Sequence, residues 1–248
     1  MVNLPPVTEV SNSRWQFLRD NGLFIYGTIL LLLISAFLLF TYNQGDALVA
    51  INKLRSPFWD VFFKVGTRFA EPVAYVTILI FVAAFSYRRA IFTVVAGALA
   101  GIVAGILKMV FAQARPMRWF FDNYEEIWHS LNHFEEEWRS WDVDSSFPSG
   151  HATSAFALYS FLAFTSRRNK LTFGLLCFAL AFMVAFSRMY LLYHFLRDVT
   201  FGAGLGLCIG TFVFFLHQRL LQPSVHLDRG WLAHFNRSKP EKEEVPPT

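Results

Sequence analysis

The chain has 248 residues, 54% hydrophobic and 16% charged, with 29 Phe and a formal charge of +4. An ordinary soluble domain carries about 25% charged residues, so this composition excludes one and points to a polytopic membrane protein built as a single helical domain. The small positive charge, with no arginine-rich arm or zinc-finger spacing, excludes a nucleic-acid partner.

A membrane helix needs about 20 mostly apolar residues. Residues 1–22 are a polar lead-in containing Glu9, Arg14, Arg19 and Asp20. The apolar run behind it, 23–42, outlasts the roughly 7–15 residues of a signal-peptide core and is read as a retained first span. An outer loop follows at 43–71, with an amphipathic stretch from Pro57 to Lys64 that suits the interface plane. The second span is predicted over 72–87, with Pro72 in its first turn. The third covers 90–111.

A second outer loop, 117–147, is aromatic and acidic, with Trp119, Trp128, Trp138 and Trp141 among its side chains. Tryptophan favours the headgroup level, so a short interfacial helix that covers or borders the substrate entrance is expected here, with a solvated connector as the alternative. The fourth, fifth and sixth spans are predicted over 149–165, 171–193 and 198–216. The charged tail beyond about Phe235 is expected to be disordered. The expected fold is therefore all-α: a six-span transmembrane bundle over 23–216, an interfacial region between spans 3 and 4, and a cytoplasmic segment at each end, 1–22 and 217–248.

Three polar strings stand at span ends: Lys108-x6-Arg115-Pro116, Pro148-Ser149-Gly150-His151, and Ser187-Arg188-x5-His194-x3-Asp198. With six spans, the end of span 3, the start of 4, the end of 5 and the start of 6 share one membrane face. The strings then converge whichever way the protein is inserted. Twelve of the 22 Lys and Arg fall on the opposite face, including the linkers Arg88-Arg89 and Arg167-Arg168-Asn169-Lys170. Of the remaining basic residues, Lys108, Arg115 and Arg188 are better explained as site residues. The positive-inside rule then puts the strings on the extracytoplasmic face.

Each string has a chemical reading beside a plainer one. Lys108 and Arg115 are seven residues apart, which sets both on one helix face if the helix continues; they form an anion clamp or merely snorkel to headgroups. Ser149 and Gly150 open a helix whose N-terminal amides can seat a phosphate with His151 beside it, or Ser149 is only a cap. His194 and Asp198 are four apart, so the carboxylate can fix the imidazole tautomer and free its other nitrogen for attack, or the two form a structural pair. His129 and His133 share the same spacing but lack the Glu that follows the first His in a metalloprotease, and no metal is expected. Cys177 and Cys208 fall inside apolar spans and are read as small hydrophobes. Gly97-Gly101-Gly105 and Gly202-Gly206-Gly210 repeat every four residues. They are read as contact faces within the bundle that draw the first and third strings together, with homo-oligomerisation as the alternative.

Taken together and in order, the strings resemble the three-part signature of the type-2 phosphatidic acid phosphatase superfamily, to which vanadium haloperoxidases and bacterial acid phosphatases also belong. Every signature position matches, and the six-span layout resembles the membrane lipid phosphatase branch. The resemblance implies that His194 attacks phosphorus to form a phosphohistidine and that Asp198 orients it. It implies that His151 protonates the leaving oxygen and later activates water. Lys108, Arg115 and Arg188, with the amides around Ser149 and Gly150, would hold the phosphate oxygens, and no cofactor is expected. The implied activity is metal-independent hydrolysis of a lipid phosphomonoester or pyrophosphate in a bacterial inner or plasma membrane, inhibited by vanadate as a phosphate mimic. Phosphotransfer to another hydroxyl through the same intermediate, or a silent scaffold binding anionic lipid, are the alternatives.

Overall fold

The computed structural model describes residues 7–134, 145–166, 169–220 and 224–235. The expectations stated above for Trp138, Trp141, the Arg167-Arg168 linker, the first six residues and the tail beyond Phe235 fall outside these. The elements are helical: α1 (Val7–Thr41), α2 (Asp46–Asn52), α3 (Pro57–Thr67), α4 (Pro72–Phe85), α5 (Tyr87–Phe111), α6 (Pro116–Asn123), α7 (Glu125–Ser130), α8 (Gly150–Thr165), α9 (Lys170–Tyr190), α10 (Leu196–Leu220), α11 (Val225–Asp228) and α12 (Leu232–Phe235).

α8 is the axis of the bundle. Ala152, Phe156, Leu158 and Phe161 are fully enclosed, and α5, α9 and α10 pack around them. α1 lies against α9 and α10, and its Phe24 reaches Phe156 and Phe164 of α8 and Phe178 of α9, edge-on at about 6 Å. The outer surfaces of the surrounding helices are apolar: Phe40, Val73 and Met109 are each more than three-quarters exposed. Large apolar side chains turned outward along long helices are what a lipid solvent selects, and the chain is an integral membrane protein.

Four described helices are long and apolar enough to cross a bilayer: Trp15–Thr41, Tyr87–Asn123, Lys170–Tyr190 and Leu196–Leu220. A fifth crossing arises if Pro57–Ala70 and Pro72–Phe85, bent by 57° at Glu71, act as one span. The all-α multi-span bundle is thus established, with four to five such spans rather than the expected six. The difference lies in two helices. α4 has 14 residues and α8 has 16, about 21 and 24 Å at 1.5 Å per residue, short of a hydrocarbon core of roughly 30 Å.

Local chemistry moves three other boundaries. Arg88 and Arg89 are not a linker but the first turn of α5, because Ser86 caps that helix by accepting from the Arg89 amide at 3.3 Å. The turn between α4 and α5 is that single residue. Arg88 then pairs with Asp228 at 2.7 Å, which docks the α11 segment under α5. The helix carrying Lys108 does not continue to Arg115. It ends at Phe111, Ala112 turns left-handed (φ 39°), and Arg115 is extended (ψ 160°). Proline disfavours helical geometry in the residue before it, so Pro116 opens α6 rather than closing α5. The polar lead-in is helical from Val7 and continuous with the first span.

The two glycine rows separate. A Cβ at Gly202 would meet Ser149 O at 2.8 Å, and one at Gly206 would meet Thr153 O at 2.5 Å. One at Gly210 would strike the Ser160 hydroxyl. This row seats α10 against α8, so it draws together the second and third strings rather than the first and third. On α5 the buried small residues beside the glycine row are Ala96, Ala100 and Ala104, after Ala90 and Thr93 nearer its start. A Cβ at Gly101 or Gly105 would have nothing within 4 Å, and only one at Gly97 would meet a neighbour, Tyr75. The α10 row is used inside the bundle, and no contact assigns either row to a second copy.

Candidate active site

The C-terminal ends of α5 and α9 and the N-terminal ends of α8 and α10 meet at one end of the bundle. Sequence alone placed six side chains there, and the structure brings them together. His151 feels the charges of Arg188, His194, Lys108 and Arg115, and Lys108 feels those of Arg115, Arg188 and Asp198.

His194 sits between α9 and α10. α9 closes with Leu191 N–H on Ser187 O at 2.9 Å, and Leu192 turns left-handed (φ 58°). The amides of Tyr193 and His194 then both return to Arg188 O, at 2.9 and 3.1 Å. This knot fixes the imidazole, 1% exposed, beneath the first turn of α10. Asp198 is the third residue of that helix. Its Oδ2 accepts from the Phe195 amide at 3.0 Å, an N-terminal capping bond. The same oxygen lies 3.6 Å from His194 Nδ1, facing it but longer than a hydrogen bond. Burial holds the His194 imidazole far below the ordinary histidine value of 6.5, at about 3, with Asp198 opposing the shift. The resting ring is therefore neutral at physiological pH.

Ser149 caps α8, its Oγ accepting from the Ala152 amide at 3.4 Å, while its own amide donates to Asp198 O at 3.1 Å. The Ser149 N–H thus ties α8 to α10. The amides of Gly150 and His151, in the first turn, are the ones with no intrahelical partner by position. A Cβ on Gly150 would lie 3.8 Å from Lys108 Cε, so α5 and α8 approach closely here. His151 Nε2 is buried with no hydrogen-bond partner, and so are Nε of Arg115 and Nε of Arg188. Buried polar atoms are normally satisfied; three such nitrogens in one cluster carry donor and acceptor capacity the fold does not use.

Several residues that position this cluster escaped the sequence reading. Lys108 Nζ donates to Ser145 O at 2.6 Å and Arg115 Nη2 to Ser145 Oγ at 3.2 Å. Ser146 Oγ donates to Asp198 Oδ2 at 2.5 Å. Arg188 Nη1 donates to Thr67 Oγ1 at 2.9 Å, and its guanidinium lies 4.1 Å over the Tyr193 ring. Ser145 and Ser146 stand three and two residues before Pro148, and that adjacency was the only signal. Thr67, 121 positions from its partner, gave none. The expected interfacial region contains α6 and α7, and Trp119 of α6 packs edge-on against Phe195 at 5.4 Å, next to His194.

The His129–His133 pair is otherwise engaged. His129 faces Glu125 at 3.6 Å, and His133 Nε2 contacts Trp128 O at 2.9 Å. Among the described residues, no three His, Cys, Asp or Glu side chains group as metal ligands.

The solved structures that resemble this fold include the following two. One is LpxE of Aquifex aeolicus, 25% identical, covering 71% of this chain and 97% of its own, with a TM-score of 0.57. The other is a transmembrane PAP2 type phosphatidylglycerolphosphate phosphatase from Bacillus subtilis, 22% identical, covering 80% and 98%, with a TM-score of 0.56. No curated protein matches the sequence. The family model of the PAP2 superfamily matches residues 89–222, a stretch that begins in the first turn of α5 and holds all three polar strings. That match spans more than half of the protein, and the chain belongs to the PAP2 superfamily.

Proposed function

We propose that this protein is an integral-membrane lipid phosphatase that hydrolyses a phosphomonoester or pyrophosphate through a phosphohistidine. The observation that carries the reading is the neutral, buried His194 whose Nδ1 faces Asp198 at 3.6 Å, inside a ring of three cations and a second histidine. With the Nδ1 proton directed at the carboxylate, Nε2 keeps its lone pair for phosphorus. The N–P bond forms as the P–O bond to the lipid breaks, and His151, protonated once the negative phosphate lies beside it, gives that proton to the departing oxygen. Water, deprotonated by His151, then cleaves the N–P bond and releases phosphate. Lys108, Arg115 and Arg188, with the amides of Gly150 and His151, neutralise the equatorial oxygens. Ser149 contributes through the helix start it caps.

A lipid substrate is supported by the site's surroundings. An apolar cavity of about 830 Å³ lies between α4 and α9, walled by Ile78, Phe81, Phe173 and Leu180. Its polar rim includes Arg68 and Glu71, and Arg68 directly follows the Thr67 that holds Arg188. A hydrocarbon tail in this cleft would place its headgroup at the Arg68 and Glu71 end, on the side of the bundle from which Thr67 reaches Arg188. The name of the Bacillus subtilis structure, a phosphatidylglycerolphosphate phosphatase, also points to lipid-phosphate chemistry.

Six crossings are part of the proposal. α9 runs toward the site end and α10 away from it, so α8, which starts at the site, must carry the chain to the opposite face. A helix enclosed by protein does not have to match the hydrocarbon thickness that lipid-facing helices meet. Arg19, Arg88, Arg89 and Lys170 lie at the far end, which supports a cytoplasmic placement there and an extracytoplasmic site in a bacterial inner or plasma membrane.

The test is phosphate release by the detergent-purified protein from a panel of phosphatidic acid, phosphatidylglycerol phosphate, lipid A phosphates and polyprenyl pyrophosphate, with EDTA present. Release from at least one lipid, blocked by vanadate, is expected. Transfer of phosphate to another lipid without free phosphate would contradict hydrolysis.

A further inference from the structure

Resting on that reading, we propose that Ser146 is a positioning residue for phosphoryl transfer, its hydroxyl holding the Asp198 carboxylate against His194. Both residues are fully buried, and Ser146 Oγ donates to Asp198 Oδ2 at 2.5 Å. The Phe195 amide donates to that same oxygen at 3.0 Å, and His194 Nδ1 lies 3.6 Å from it. The other oxygen, Oδ1, makes no hydrogen bond and faces Arg197 Nε at 3.5 Å. Everything that aims the carboxylate at the imidazole therefore acts on Oδ2.

This division gives the serine a specific task. A buried carboxylate without donors carries a heavy desolvation cost and turns toward any available cation. Arg197 is that cation, one residue away and on the wrong side. With the Ser146 hydroxyl in place, Oδ2 is pinned from two directions and stays within reach of His194. Without it, the single bond from the Phe195 amide leaves the carboxylate free to rotate toward Arg197 and withdraw from the nucleophile. The His194 ring would then lose the partner that fixes its tautomer and stabilises its charge once phosphorylated.

Ser146 also stands where the site is assembled. Its amide donates to Gln113 O at 2.9 Å, in the extended link before Arg115. Its neighbour Ser145 takes Lys108 and Arg115. One short strap thus holds the anion-binding cations through one residue and the histidine–aspartate pair through the next. The two functions are separable by mutation.

The experiment compares Ser146→Ala, Ser146→Cys and Ser146→Thr with the parent on the lipid the parent hydrolyses, measuring kcat, KM and inhibition by vanadate. Ser146→Ala is expected to lower kcat by about 10- to 100-fold, the range that a hydrogen bond to a charged group carries. KM and the vanadate inhibition constant stay within about twofold, because the cations are held by Ser145. Ser146→Thr, which keeps the hydroxyl, restores most of kcat, and Ser146→Cys, a weak donor of similar size, falls between. Unchanged kcat in Ser146→Ala and Ser146→Cys overturns the proposal. So does a parallel weakening of KM and vanadate inhibition, the mark of a collapsed strap, or failure of Ser146→Thr to recover. If Ser146→Ala does not fold, Ser146→Cys and Ser146→Thr decide the question. A parent protein that releases phosphate from no lipid overturns the phosphatase reading itself, and this proposal with it.

Discussion

The amide of Ser149 donates to the carbonyl oxygen of Asp198 at 3.1 Å, joining the first residue before α8 to the first turn of α10. The helix that carries one histidine is thereby fixed to the helix that orients the other. Gly202 and Gly206 make this possible by letting the two backbones approach.

Adding one methyl group at that contact should be costly. A Cβ on Gly206 would sit 2.5 Å from Thr153 O and 2.7 Å from Phe156 Cβ, both in the middle of α8. Gly206→Ala is expected to lose about 1–3 kcal/mol of stability, as overpacked cores do, and to lower activity with it. Gly101→Ala, with nothing within 4 Å, should keep or raise the melting temperature. Thermal unfolding in detergent, followed by tryptophan fluorescence, compares the two.

Thr67 should matter for substrate affinity. Its hydroxyl accepts from Arg188 Nη1 at 2.9 Å, inside a site where Arg188 is only 7% exposed. Thr67→Val keeps the shape and removes the acceptor. An unpaired buried cation reorients, so KM should rise by about tenfold, the effect of roughly one charged hydrogen bond. Steady-state kinetics with the hydrolysed lipid check this, and Thr67→Ser should behave as the parent.

Arg188 should not be replaceable by lysine. Its guanidinium lies over the Tyr193 ring at 4.1 Å while bonding Thr67, two contacts that need a planar fork. Arg188→Lys is expected to lower kcat/KM by about 100-fold, near the loss of one oxyanion donor. Vanadate inhibition should weaken alongside it.

The charge state of His194 gives a pH prediction. Its value in the folded protein, about 3, lies below the ordinary 6.5. A lowered histidine value means that the unfolded chain takes up the proton first, so the stability this group contributes is complete above pH 6.5 and is lost as pH falls from there toward 3. In the unliganded protein the His194 ring should stay neutral at about pH 5. Imidazole nitrogen shifts in histidine-labelled protein, assigned by comparison with His194→Gln, measure this directly; a midpoint near the ordinary value of about 6.5 would contradict it.

The site was legible because charge is conspicuous in an apolar chain. Lys108, Arg188 and Asp198 have no inexpensive place within a span, so their positions at predicted span ends pointed to one pocket. What stayed hidden was carried by residues with no such contrast. Ser145 and Ser146 look like any polar loop, and Thr67 finds Arg188 only through the tertiary fold. The span count was harder to read for a related reason. Hydropathy registers lipid exposure, whereas α8 is enclosed by protein and α4 is split from α3 at Glu71. Arg115 was placed on the wrong backbone geometry because spacing was followed past Phe111, where the helix ends and Ala112 turns left-handed. The glycine rows look alike in sequence, but only Gly202, Gly206 and Gly210 face another helix throughout.

The most direct test of the account is to find the phosphoryl group on the protein. His151→Ala lacks both the acid for the first step and the base for the second, so it should load phosphate from labelled lipid and lose it again slowly, each by about 100- to 10,000-fold for a missing acid–base group, and keep the label through a long incubation. Quenched in base and mapped by mass spectrometry, the label is predicted on His194, and His194→Ala should carry none. Label on any other residue, or a His194→Ala protein that turns over at the parent rate, would contradict it.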